Sequence, residues 1–149
     1  MSSRADVPFA TTLKIRDSCL CLHVQRAARV VARRFDEVLR PLGLTHGQFS
    51  LLNALNRPDP ARIGPVAALL GMDRTTLTAA LKPLERAGHV KVSVDPEDRR
   101  GRVLALTATG RALLASAVPV WETTHAEIER LLSADTPDRL RQDLNDLAR

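Results

Sequence analysis

The chain has 149 residues, enough for one domain or for a small domain with flanking helices that need a partner. An apolar fraction of 44% excludes a disordered class, and with three phenylalanines, one tryptophan and no tyrosine the core must rest on Leu, Val and Ala, which favours helices over packed sheets. Lys and Arg number 22 against 17 Asp and Glu, a net charge of +5 that suits nucleic acid or an anionic surface without selecting either.

Residues 1–6 carry no basic segment leading into an apolar one, and the uncharged runs are too short to span a bilayer, so a cytoplasmic protein with no membrane partner is expected. Cys19 and Cys21 do not make a disulfide framework, which agrees with a reducing compartment.

Taken in order, residues 1 to about 10 read as frayed. A long helix is expected over 13–42, because Leu20, Val24, Ala28, Val31, Phe35, Val38 and Leu42 recur at helical spacing, with Arg26, Arg29, Arg33, Glu37 and Arg40 opposite. Pro41 and Gly43 break it. Thr45 and Gln48 are spaced as a capping box for a helix over 46–55, and residues 56–62 read as a loop. Gly64 and Pro65 open a short helix over 66–70 that Gly71 ends. The next helix runs over 73–87 and stops at Gly88. Two strands follow at 90–94 and 103–106, joined by a polar tip over 95–102. Thr107 or Thr109 caps a long helix to about Leu132, containing Pro119, and a last amphipathic helix shows Leu140, Leu144 and Leu147.

Short helix, tight turn, longer helix and a cationic hairpin make a winged helix-turn-helix. On the second helix Leu77, Ala80, Leu81 and Leu84 form a core face, while Arg74, Thr75, Thr78, Ala79 and Lys82 form the other, and Thr76 joins the candidate DNA contacts. Arginine donates twice to guanine, threonine bonds or touches the thymine methyl, and lysine neutralises a phosphate. Arg99, Arg100 and Arg102 crowd the hairpin, where they can follow the backbone or enter a narrow minor groove. Asp98 either holds Arg100 in a bidentate wing salt bridge or makes a weak surface pair.

The segments "LGLTHGQFSLLNAL" and "PVAALLGMDRTTLTAALKPLERAGHVKVSVDPEDRRGRVLALTATG", with the Asp-x-Arg of Asp98 and Arg100 inside the second, resemble the MarR family of regulators. The resemblance implies a mainly α chain whose helix from Arg74 enters the major groove of double-stranded DNA while Arg100 enters the minor groove. It also implies dimers on near-palindromic operators, usual repression, and release by a small phenolic or aromatic compound or by an oxidant. The expected organisation is a winged helix-turn-helix over 46–108, with helices over 11–45 and 109–149 forming a homodimerisation region or else folding back on their own domain.

Aligned on that family with Phe49 as anchor, Cys21 falls where the peroxide-sensing branch carries its reactive thiol. The tyrosines that surround it there are absent here, with Phe35 and His46 at two of those positions, so a thiol sensor and an inert cysteine both stand. Helical geometry directs Cys19 and Cys21 about 200° apart, which rules out a bridge between them. Cys21, His23, His46, Trp121 and His125 are the candidate ligand or redox site, suited to an aromatic effector. No metal-ligand spacing and no cofactor motif is present, and no phosphate loop, nucleophile elbow or carboxylate pair argues for an enzyme. A protein-binding adaptor is the rival to a DNA reader, and the arginine-rich hairpin favours the reader.

Overall fold

The computed structural model describes residues 6–149. The chain divides at Arg34/Phe35 into two compact units.

The first unit holds α1 (Phe9–Ser18) and most of α2 (Leu20–Leu39). The single helix expected over 13–42 is thus two. It begins earlier, at Phe9, and breaks at Cys19, whose backbone is extended at φ −70° and ψ 107°. The Ser18 hydroxyl donates to the Lys14 carbonyl at 2.5 Å, a local bond that competes with the helical ladder where it stops. Cys19 therefore sits in a junction, and the helical offset expected between Cys19 and Cys21 does not apply. Helix α1 buries none of its residues, and residues 21–30 of α2 are all exposed, Leu22, Val24 and Val30 among them.

The second unit starts in the last turns of α2, where Phe35 and Leu39 are buried. A 3-10 turn, Arg40–Leu42, follows and ends at Gly43. Helix α3 (His46–Ala54) has the expected capping box: Thr45 accepts from the Gln48 N–H at 3.2 Å, and Gln48 accepts from the Thr45 N–H at 3.0 Å. The segment read as loop contains a short strand, β1 (Ala61–Arg62), before α4 (Ile63–Leu70) and α5 (Arg74–Arg86). Gly71 lies at φ 64°, the left-handed cap that lets α4 stop in a tight turn.

Strands β2 (Val90–Asp95) and β3 (Asp98–Leu106) pair antiparallel from Val90↔Leu106 to Asp95↔Asp98, with an irregularity between Val94 and Asp95. The hairpin tip is consequently much shorter than the expected 95–102, and Arg99, Arg100 and Arg102 lie on β3 itself. Strand β1 adds to the free edge of β3, giving the order β1-β3-β2. Helix α6 (Ala108–Glu129) is capped by Thr107, which accepts from the Gly110 N–H at 3.1 Å, an arrangement worth about 1 kcal/mol. Helix α7 (Thr136–Leu147) closes the chain.

The core of this unit is Leu39, Leu51, Leu52, Leu55, Val66, Leu77 and Leu104, all nearly inaccessible, joined by Leu81, Leu84, Val90 and Ala117. Helix α3 packs on α6, α4 on α5, and α5 on β2, so the reading helix and the wing share one apolar foundation. Helix α7 buries nothing and leaves Leu140, Leu144 and Leu147 exposed. Among the described residues no helix is long and apolar enough to cross a membrane.

Candidate nucleic-acid interface

Asp73 fixes the start of α5. Its carboxylate accepts the Thr76 N–H at 2.7 Å and the Thr76 hydroxyl at 3.1 Å, and the backbone bond holds the Asp73 carboxyl below its usual range. Thr76, expected among the DNA contacts, donates its hydroxyl to this cap. Leu77, Leu81 and Leu84 are buried, which turns Arg74, Thr75, Thr78, Ala79 and Lys82 outward as one exposed face lining a shallow depression of about 310 Å³. The Thr78 hydroxyl donates to the Arg74 carbonyl at 2.8 Å, leaving its methyl and oxygen lone pairs for a base edge.

Arg74 turns back toward α4. Its Nη2 comes so near Gly64 that a β-carbon there would stand 3.2 Å away. Arg74, Thr78, Arg100 and Arg102 thereby line a second cavity of about 310 Å³ between the reading helix and the wing. On the wing, Arg102 Nη1 donates to the Gly101 carbonyl at 3.0 Å. The expected Asp98–Arg100 salt bridge is not formed among the described residues. Asp98 instead accepts the backbone N–H of Arg100 at 3.0 Å, because a carboxylate two residues upstream reaches the main chain more readily than the long guanidinium. The Arg100 side chain stays exposed.

The wing base carries a contact that spacing did not reveal. Arg62 on β1 bridges Asp95 at 2.9 Å and Glu97 at 2.5 Å, and the bond to Glu97, followed by the Asp95 charge, raises the Arg62 pKa further above its usual value. These partners lie more than thirty residues from Arg62, 35 in the case of Glu97, and the β1–β3 and β2–β3 pairings together bring them to it.

The five candidate sensing residues fall into different surroundings. In the first unit Cys21 is exposed and accepts from Gln25 Nε2 at 3.2 Å, while His23 Nδ1 lies 2.7 Å from the Cys19 carbonyl. In the second unit His46 is held by Asp36, whose Oδ1 takes the His46 backbone N–H at 2.7 Å and lies 3.0 Å from the ring nitrogen. The backbone bond, then the ring, lowers the Asp36 pKa. Trp121 stacks on His125 at 4.6 Å between ring centroids and on Phe49 at 6.3 Å. Beside this stack Phe49, Ser50, Asn53, Leu69, Val118 and Trp121 line a groove of about 430 Å³. Phe49, Ser50 and Asn53 are not among the expected sensing residues, and Ser50 and Asn53 carry no periodic or motif signal in the sequence. No group of three or more His, Cys, Asp or Glu able to hold a metal occurs among the described residues.

Comparison with known proteins agrees with this architecture. The model of the MarR family matches residues 42–101. The transcriptional activatory protein BadR of Rhodopseudomonas palustris is 34% identical over 95 residues, an alignment covering 62% of this chain and 54% of BadR, so the match spans about half of that relative's length. The M. tuberculosis transcriptional regulator MosR, solved in complex with DNA, is 38% identical with a TM-score of 0.79, covering 88% of this chain and 94% of MosR. The transcriptional repressor CouR, solved on a 23-mer DNA duplex, is 31% identical with a TM-score of 0.80, covering 97% of this chain and 100% of CouR. The mainly helical fold with its three-stranded wing, the near-complete coverage of two regulators and the family match lead to one conclusion: the chain belongs to the MarR family of winged helix-turn-helix transcriptional regulators.

Proposed function

We propose that the protein is a sequence-specific, homodimeric repressor that reads a near-palindromic operator in the cytoplasm and is released by a small aromatic or phenolic compound. The observation that carries the DNA-binding reading is a shared surface. Arg74 and Thr78 of α5 line one cavity with Arg100 and Arg102 of β3, and the same two α5 residues line the neighbouring depression with Thr75, Ala79 and Lys82, while Arg99 is exposed on β3 next to Arg100. Helix α5 is the element suited to the major groove, and the β3 arginines are suited to the minor groove or its phosphates. MosR and CouR bind DNA with the same fold, and CouR, which aligns over its full length, is a repressor. BadR is an activatory protein, so the sign of regulation is a separate question from the reading head.

The exposed apolar residues of α1, α2 and α7 support the dimerisation region over 11–45 and 109–149, because stripes of this kind are unstable in water without a cover. The groove at Phe49 and Trp121, apolar with Ser50 and Asn53 as polar anchors, suits a flat aromatic effector. A second signal, oxidation of Cys21, is favoured by the exposure of its thiol and its contact with Gln25.

The test is retardation of a labelled fragment from the gene's own upstream region in excess nonspecific DNA. A discrete complex at nanomolar protein, lost steeply as salt rises, is the expected result. Absence of any complex across a genomic fragment pool would refute the DNA-binding reading and favour a protein-binding adaptor.

A further inference from the structure

Arg62 is not part of the cationic reading surface in the ordinary sense, because two carboxylates face it. Its Nε lies 2.9 Å from Asp95 Oδ2, and its Nη2 lies 2.5 Å from Glu97 Oε2. Asp95 ends β2, and its side chain is 5% exposed, whereas that of Glu97 is 79% exposed. Asp95 also turns its other oxygen to the Glu97 N–H at 2.9 Å, so one buried carboxylate shapes the tip turn from within and takes the guanidinium from without. Gly101 on the facing strand lies against this carboxylate: a β-carbon there would stand 3.4 Å from that of Asp95. The clamp spans the point where the hairpin register becomes irregular, between Val94 and Asp95. Immediately beyond it come Arg99, Arg100 and Arg102.

We infer that Arg62 is a positioning residue for the wing: it holds the tip through Asp95 and Glu97 and so sets where the β3 arginines meet DNA. The inference rests on the DNA-binding reading above. A two-residue strand and a two-stranded hairpin have little intrinsic stiffness, and side chains that must meet a groove need their supports fixed by neighbours. With its charge compensated by Asp95 and Glu97, Arg62 contributes geometry to binding and no released counterion. The acidic Glu97, beside arginines suited to phosphate, completes the clamp.

The sign of one substitution decides the matter. Glu97 is exposed, so Glu97→Gln leaves the fold intact while removing a negative charge from the DNA-facing wing. Charge alone predicts tighter binding; the clamp predicts weaker binding. The experiment measures affinity and salt slope on a genomic fragment retained by the unsubstituted protein, for Glu97→Gln, Arg62→Gln, Arg62→Lys and each of these combined with Arg100→Ala. The expected results are weaker binding by Glu97→Gln and a loss of about tenfold by Arg62→Gln, comparable to one lost base contact. The salt slope of Arg62→Gln should stay unchanged, Arg62→Lys should rescue in part, and the effect of Arg100→Ala should shrink in the Arg62→Gln background. Tighter binding by Glu97→Gln, a slope reduced by about one in Arg62→Gln, or strict additivity with Arg100→Ala would overturn the positioning role while leaving DNA binding intact. Failure of the unsubstituted protein to retain any fragment would instead overturn the DNA-binding reading itself, and this role with it.

Discussion

Gly110 packs directly beneath the backbone carbonyl of His89: a β-carbon at Gly110 would stand 2.1 Å from that oxygen. The contact presses the first turn of α6 onto the residue that leads into the wing, and the hydroxyls of Thr107 and Thr109 both donate to the neighbouring Gly88 carbonyl, at 2.6 and 2.9 Å. In an exposed helix Gly→Ala is favourable by about 1 kcal/mol. Here the sign reverses, because two backbones must separate to admit one methyl group. Gly110→Ala is expected to destabilise the protein by about 1–3 kcal/mol, read as a lowered midpoint in thermal or urea unfolding. An unchanged or raised midpoint would show that α6 slides on His89 without cost.

The Asp73 cap gives stability a pH dependence of known sign. The folded carboxyl sits below its usual value of 3.8, so it releases its proton more readily folded than unfolded. Its contribution is complete above that value and is lost as pH falls through the lower, folded one. Asp36, lowered in the same direction by His46, adds to the effect. Asp73→Asn keeps a good capping side chain but cannot titrate. The slope of melting temperature against pH from about 5 downward should be shallower in the variant than in the parent, and equal slopes would remove Asp73 from the acid response.

What the sequence made legible was local. Thr45 with Gln48, and Thr107 of the pair Thr107 and Thr109, each act within three residues and form their caps as expected, while Asp73 adds a cap of the same reach that the sequence reading placed inside the helix. The apolar face of α5 was equally readable, because its period is that of the helix. Features that depend on distant pairing were not. Strand β1 has two residues, too few for any period, and meets β3 at Leu104. The Arg62 clamp follows from that pairing together with the β2–β3 hairpin. The break at Cys19 lacked a Gly or Pro to announce it. At Asp98 the residue types were right but the partner atom was not, since the carboxylate bonds the Arg100 main chain and leaves the guanidinium outward.

That outward guanidinium yields a prediction in salt. If Arg100 meets a phosphate, Arg100→Ala should weaken operator binding and reduce the slope of log K against log salt by about one. Asp98→Ala should change the slope less, because its bond is to backbone. A slope unaltered in Arg100→Ala, with affinity also unaltered, would take Arg100 out of the interface.

Leu140 and Leu144, both 39% exposed, lie one helical turn apart on α7, a helix that buries none of its residues. If this face meets a second copy, Leu140→Glu with Leu144→Glu should convert a dimer to a monomer in sedimentation experiments, by placing charge in an apolar contact. Operator affinity should then fall sharply, since two linked reading heads bind far better than one. A double variant that still sediments as a dimer would move the interface to the other exposed helices.

Trp121 is the only tryptophan, so its emission reports on the groove it lines with Phe49, Ser50 and Asn53. A flat hydroxybenzoate entering there would displace water from the indole edge and change the emission saturably. Asn53→Ala should weaken that titration by removing a polar anchor, and the same compound should release DNA at matching concentrations. Oxidation is a separate route with a separate residue: Cys21→Ser should abolish release by peroxide and leave release by the aromatic compound intact. Release by peroxide that survives Cys21→Ser would remove the thiol as a signal. Emission indifferent to every aromatic acid tried would remove the groove, because a ligand cannot bias the two states of the dimer without binding one of them better.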